Sequence, residues 1–495
     1  MYKQFKKFIK MKKQIFTKSE NFRAEYCCTI VRIGELKPIE GKDRIVQTLV
    51  NGFSMVVRKD QVSEGDIVIY AMNETQLSHK FLSANNLYDV NHYGLNQNGF
   101  YVSELLIGGK NDKAKSMCGF FNKYGRVKLI RLGGIPSYGY IFTPQELAKV
   151  YPEVMNVNFE ELVDTDFDTV CGEEFVKVYI PPVKEGTPRG NREDKRNRKL
   201  KRFDRMIPGQ FSFHYDTQQL NRNINKIQPT DVVTITNKIH GTSAIFGNVL
   251  TKKPKFGGLY SKICFYLPKF LQFYTEDYDM IYSSRTVIKN KYINAQAGGG
   301  YYGSDIWGEY AKLLDGKIPQ GMTLYCEIFG YMTEDTRMIQ KGYDYGCSVG
   351  TNKIMIYRIT TDNENGPKKE WNVQEIFDWT ISFIEKYPEL YSVMHPIDIL
   401  YHGTLADLYP HIDTNNHWHE NVLEALKNDK EHFGMELNEP MCKNVVPREG
   451  VVIRIDDDPL NEAFKLKTDY FFGRESKMID NGEVDIEMEN GYGEN

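Results

Sequence analysis

The chain has 495 residues, 41% hydrophobic and 26% charged, with a net charge of -3. It is long enough for two or three domains with buried cores, and its bulk charge points to no partner. The eight cysteines, at 27, 28, 118, 171, 264, 326, 347 and 442, show neither paired spacing nor a Cys-x-x-Cys zinc pattern. No long apolar run marks a secretion signal or a membrane span, so the composition predicts a cytoplasmic protein in a reducing compartment, without a membrane partner.

In chain order, residues 1–22 read as a basic arm with lysines every two or three positions. Residues 23–151 contain short β-branched runs at 28–33, 44–50, 53–58 and 66–70, punctuated by Gly34, Gly41, Asn51-Gly52 and Gly65. That punctuation predicts a small β-barrel of the OB type. Residues 152–205 read as a connecting segment whose end, 184–205, carries ten Lys or Arg residues, either a solvated linker or an arm that tracks phosphates. Apolar alternation returns at 232–235, 323–329, 353–357 and 451–455, with helical periods at 373–387 and 420–433. The expectation is an α+β domain with antiparallel sheets over 206–475, then an acidic tail at 476–495.

Five short motifs lie in order within that second domain: Lys238 in Asn237-Lys-Ile-His-Gly241, Ser283-Ser-Arg285, Glu327-Ile-Phe-Gly330, Glu449-Gly-Val-Val-Ile453, and Lys465-Leu-Lys467. A free lysine is mostly protonated at neutral pH, and nearby cations with desolvation convert it into a nucleophile. Lys465 and Lys467, two apart on a strand, would face one side of the sheet together, toward one phosphate. Gly241 clears space beside the amine for a triphosphate. Arg285 suits a guanidinium clamp on phosphate, and Glu449 is a natural anchor for hydrated magnesium. Glu327 is a carboxylate on an otherwise apolar strand, so something must pair with it.

Three other features favour plainer readings. His411, His417 and His419 lack a recognisable ligand spacing and suit a helix start better than zinc. Gly298-Gly-Gly300 is a loop without a P-loop lysine. Tyr260 to Tyr274, aromatic with interleaved lysines, could stack bases but reads better as a hydrophobic helix packed on its domain.

The ordered motifs resemble the covalent nucleotidyltransferase superfamily of ATP-dependent DNA and RNA ligases and mRNA capping enzymes. Because the predicted barrel precedes the catalytic domain and little chain follows Lys467, the arrangement is similar to the fifth family of RNA ligases, in which an amino-terminal OB domain leads into a nucleotidyltransferase (ATP-grasp-like ligase) domain. The resemblance implies Lys238 as the site of a lysyl-AMP intermediate, with Arg285, Glu449, Lys465 and Lys467 catalytic. ATP would be held by Lys238, His240, Gly241, Arg285, Glu327, Tyr357, Lys465 and Lys467, with Glu327 on the ribose and Tyr357 stacked on the purine. Glu449 and Glu327 would hold magnesium, with manganese as the alternative. His240 departs from the aspartate often found at that position, which bears on the waters around the metal. The implied activity seals 3′-hydroxyl and 5′-phosphate RNA ends, held on a duplex, in RNA repair by a monomer. A DNA ligase or capping-type enzyme is the alternative, and a nucleic-acid-binding protein with a degenerate transferase domain is the alternative of another class.

Overall fold

The computed structural model describes residues 15–88, 120–122, 124–181, 205–213, 217–264, 267–285, 288–289, 305–362, 368–435, 437–456, 458 and 462–481. The basic stretch before Arg205, the glycine triplet at 298–300 and most of the acidic tail lie outside them. The chain divides into two compact units, 1–181 and 182–495. No helix among the described residues is long and apolar enough to cross a membrane. The seven described cysteines are all free thiols.

The first unit is built from short antiparallel strands, as its frequent turns predict. Cys28–Arg32 pairs with Ile67–Ala71, which pairs with Tyr140–Phe142, while Lys42–Val50 and Phe53–Arg58 form a separate hairpin. Among the described residues these sheets do not close into one hydrogen-bonded barrel. The unit also reaches further along the chain than its expected end at 151. Asp166–Phe167 pairs with Cys28–Arg32, Thr169–Val170 with Phe16–Thr17, and Val176–Val178 with Thr75–Leu77. Phe167, Val170, Phe175 and Val176 accordingly enter the core around Phe81 and Phe142. These strands are two or three residues long, too short for alternation to reveal them, and Phe16–Thr17 draws the end of the predicted arm into the same fold.

The second unit is mixed α+β with mainly antiparallel sheets. In its five-stranded sheet, Gln218–Gln219, Ala463–Lys467, Gly450–Ile455, Val232–Lys238 and Ile399–Thr404 lie side by side, the first pair parallel. Val233, Ile235, Val451, Ile453, Phe464 and Leu466 point to one face, covered by the helix Trp418–Asn428 through Trp418, Val422 and Leu426. The seven-stranded sheet centres on Thr242–Pro254, Tyr274–Ser283, Met322–Gly330 and Asn352–Thr361. One of its faces packs on Ile306–Leu314 and Val373–Lys386. An Asn372–Glu375 capping box starts the latter helix, satisfying amide donors that would otherwise lack partners. A third core joins Ile239, Phe329, Tyr343, Tyr345, Met355 and Phe471 beside the Lys238 turn.

One sequence expectation is overturned here. The 260–274 stretch is not a helix buried on the domain: among the described residues it holds only the short helix Leu259–Ile263 and a 3-10 turn at Lys269–Leu271, and Phe270 and Leu259 are 77% and 74% exposed. Pro268 interrupts the run and Gly257-Gly258 precede it, which leaves only short helical pieces among the described residues.

Candidate active site

Strand alternation positions the lysines. With Val233 and Ile235 committed to the core below the five-stranded sheet, Lys238 emerges on the opposite face; Phe464 and Leu466 do the same for Lys465 and Lys467. Register then brings distant motifs together. Lys238 lies across from Gly450, which lies across from Lys467; in the next row of that face Thr236, Val452 and Lys465 are neighbours.

Glu449 sits at the head of this row, 2% exposed. Its Oε1 receives Lys238 Nζ at 2.8 Å and Lys467 Nζ at 3.4 Å, and its Oε2 is 3.8 Å from His240 Nδ1. Burial by itself would raise this carboxyl, yet Lys238, Lys467 and His240 hold it down at about 2. Lys467 also donates to Glu475 Oε1 at 2.8 Å and lies 4.9 Å above the Phe471 ring. In this state Lys238 is held in an ion pair by the Glu449 carboxylate.

The turn after Lys238 is fixed from three sides. Tyr345 Oη accepts the His240 N–H at 2.7 Å, Glu327 Oε1 accepts the Gly241 N–H at 2.9 Å, and Gln340 Nε2 donates to the Gly241 carbonyl at 2.8 Å. The pairing required of Glu327 is therefore at least partly made within the chain. Gly241 has a tighter reason to be glycine than triphosphate access, because a Cβ would stand 2.3 Å from the Ile328 carbonyl oxygen. The His240 ring is set edge-on to Tyr343 and Phe471, with centroids 5.0 and 4.9 Å away.

Tyr357 occupies an irregularity in the facing sheet. Tyr325 pairs with Arg358 and Cys326 with Ile356, leaving Tyr357 as the extra residue of a bulge, a device that re-aims a side chain. Burial, with Glu327 nearby, pushes its hydroxyl well up, so the ring is neutral. Just behind it Glu370 Oε1 receives Arg358 Nε at 2.5 Å and Arg454 Nη1 at 3.0 Å, while Arg454 Nη2 donates to the Tyr357 carbonyl at 3.2 Å. Arg454 belongs to the five-stranded sheet and Arg358 to the seven-stranded one, so this carboxylate ties the two together. Burial and the neighbouring Arg358 draw the Arg454 guanidinium down to about 10.

Thus Lys238, His240, Gly241, Glu327, Glu449 and Lys467 meet directly, with Lys465 one row away and Tyr357 beside Glu327. Arg285 lies half-buried two residues beyond the strand Tyr274–Ser283. Tyr345, Gln340, Glu370 and Glu475 escaped the sequence reading because each acts from a loop, edge or helix outside the motifs, and Arg454 escaped it although it follows the Glu449 motif on the same strand. For Arg454 a signal existed: it is a charge within an apolar strand, on the face opposite Val451 and Ile453 that also carries Gly450 and Val452. Among the three histidines, His417 precedes the helix Trp418–Asn428 and His419 meets the Ile227 carbonyl at 3.1 Å.

Among the described residues no group of three or more His, Cys, Asp or Glu side chains converges in the manner of a metal site. Glu449 nevertheless suits a hydrated cation, because its buried Oε2 has no hydrogen-bond partner and is free to accept from coordinated water.

No family model matches the sequence, and no curated protein does. Solved structures similar to the chain include RNA ligase mutants from Naegleria gruberi with ATP and Mn (TM-score 0.49, 14% identity, covering 90% of this chain and 98% of that one) and with AMP and Mn (TM-score 0.47, 14%, 90% and 98%). The Naegleria gruberi RNA ligase with PPi is also similar (TM-score 0.45, 14%, 91% and 98%).

Proposed function

We propose that this chain is an ATP-dependent RNA ligase whose nucleophile is Lys238. The observation that carries the reading is the row Lys238–Gly450–Lys467 with the buried Glu449 at its head, which gathers an amine, a second cation and an under-used carboxylate in one place.

The chemistry runs in three displacements. The Lys238 lone pair attacks the α-phosphorus of ATP; an N–P bond forms as the bond to the pyrophosphate oxygen breaks. Lys467 and Lys465 face the charge that develops on the phosphates, with Arg285 assigned as a further clamp. A 5′-phosphate oxygen of RNA then attacks the AMP phosphorus, and the lysine leaves. Finally the 3′-hydroxyl oxygen of the second end attacks the RNA phosphate and AMP departs, a step governed by alignment of the ends. Glu449 would hold the divalent cation, magnesium in this reading, which neutralises triphosphate charge when bound. Tyr357 stacks on the purine, and Glu327, already committed through Oε1, meets the ribose through its other oxygen.

The reading includes a nucleotidyltransferase, ATP-grasp-like fold for the second unit and an OB-like fold for the first. The first unit is assigned to RNA binding, on a duplex that holds a 3′-hydroxyl/5′-phosphate break. RNA repair by a cytoplasmic monomer is the role that follows.

The test is direct. Incubated with magnesium and labelled ATP, the purified protein should gain the mass of one AMP, on Lys238, and the isolated adduct should seal nicked RNA without further ATP. An unmodified protein, or an adduct on another residue, would overturn the assignment.

A further inference from the structure

The strand Thr242–Pro254 leaves the Lys238 turn and runs 13 residues outward, ~40 Å at strand rise, before the chain returns through Tyr274–Ser283. Its tip carries an unusual surface. Phe256, Leu259, Phe270, Phe273 and Tyr274 are all exposed, between 47% and 77%. From 252 to 274 the sequence has five lysines and no Asp or Glu. A soluble domain gains nothing in stability from displaying such side chains together, so the cluster calls for a partner, and its charge calls for an anionic one.

The tip is also held in shape. Tyr260 Oη donates to the Leu271 carbonyl at 2.8 Å and accepts the Phe273 N–H at 2.6 Å, which ties the two sides of the loop together. Lys255 N–H continues the pairing to the Phe273 carbonyl at 3.0 Å. Phe256 stands edge-on to Tyr260 and Phe273, with centroids 5.2 and 6.2 Å apart. Lys252 lies over the Tyr274 ring at 5.4 Å, and its N–H meets the Arg205 carbonyl at 3.0 Å, where the most basic stretch of the sequence ends.

We infer that this hairpin tip is a binding site for unpaired RNA, in which bases stack on Phe256, Phe270 and Phe273 while Lys255 and Lys269 meet phosphates. Oriented rings interleaved with lysines are what base stacking on a polyanion requires. An anionic lipid surface would need apolar area and positive charge but no fixed ring geometry. Paired bases are not available to such rings, so the tip takes a single-stranded flank, well removed from the ends being joined. The inference rests on the ligase reading for its substrate and deepens it.

The test uses the full chain with Phe256→Ala, Phe270→Ala and Phe273→Ala together, and separately Lys255→Glu with Lys269→Glu. Both variants should form lysyl-AMP at the wild-type rate, which also reports that they fold. Affinity for a nicked RNA duplex with a single-stranded flank should fall ~5- to 100-fold, and that for the flankless duplex should stay unchanged. Ultraviolet crosslinking of the wild type should join flank nucleotides to the 252–274 peptide. Unchanged flank affinity, or binding to phosphatidylserine vesicles lost in place of RNA binding, overturns the inference and leaves the ligase reading standing. If the wild type forms no lysyl-AMP yet crosslinks RNA through the tip, the site stands and the ligase reading falls.

Discussion

The two ends of the Thr242–Pro254 strand solve opposite problems. Where it begins, beside Lys238, charged groups are taken out of water and each depends on the others: Glu449 on two lysines, Glu327 on the Gly241 amide, Glu370 on two arginines. Where it ends, apolar rings stand in water and depend on little. At the first end a single change would remove the proposed chemistry and leave a buried charge unpaired at once. At the second, function can be changed with the fold left intact.

The largest effect belongs to Lys238. Lys238→Ala, and Lys238→Arg as well, should lower AMP transfer by ~10³-fold or more, because neither offers an amine that can attack phosphorus. Transfer retained by either would place the nucleophile elsewhere and dissolve the contrast between the two ends. Glu370→Ala comes next: Arg358 and Arg454 would be left buried without their carboxylate, at a cost of ~3–5 kcal/mol in urea unfolding. A loss near that for an exposed pair such as Arg58–Asp60 would show that water reaches this network.

Backbone room gives a paired test. A Cβ on Gly450 would lie 2.0 Å from the Leu466 carbonyl oxygen, at a φ of 145°, so Gly450→Ala should cost ~3 kcal/mol or more and lose AMP transfer with it. Gly473, inside the helix Asp469–Asp480, has nothing within 4 Å of the same atom. Gly473→Ala should therefore stabilise by ~0.5–1 kcal/mol and leave the chemistry alone. Equal losses at both positions would refute the register that joins Lys238 to Lys467.

The pH dependence is the most gradual effect. The Glu449 carboxyl is depressed in the folded protein, from an ordinary 4.5 to about 2. Its contribution is therefore present in full above pH 4.5 and is lost as pH falls from there toward 2. Urea midpoints should decline across that window, and Glu449→Gln should make the decline shallower. An identical acid limb in both proteins would mean that the two lysines do not hold the carboxylate.

How much of this was legible follows from what periodicity can carry. The pairing of Lys465 with Lys467 on one face, and of Lys238 with that face, follows from alternation against Phe464, Leu466, Val233 and Ile235, all plain in the sequence. Register is not: that Gly450 stands between Lys238 and Lys467 depends on one pairing, Lys238 with Gly450, between strands far apart in the sequence. The strands 166–178 were missed because two-residue pairings leave no period. The bulge at Tyr357 and the Arg358–Glu370–Arg454 link depend on which sheet faces which, and a linear pattern does not contain that. The exposed tip was misread because apolar residues are usually inside, a rule that functional surfaces are free to break.

The Lys238 row also has a consequence for synthesis. A ribosome delivers Val232–Lys238 long before Gly450–Ile455 and Ala463–Lys467, so the strand bearing the proposed nucleophile waits for its neighbours while most of the second unit is being made. Its apolar face, Val233 and Ile235, waits for the helix Trp418–Asn428 as cover, and its inner edge waits longer still for Gly450–Ile455. Such late, long-range pairing slows folding and leaves a strand edge open to other chains. In the ligase reading it also keeps the protein silent: a nascent chain halted short of residue 463 holds Lys238 without Lys465 and Lys467, the cations that would face the phosphates, so incomplete copies should neither consume ATP nor trap RNA ends.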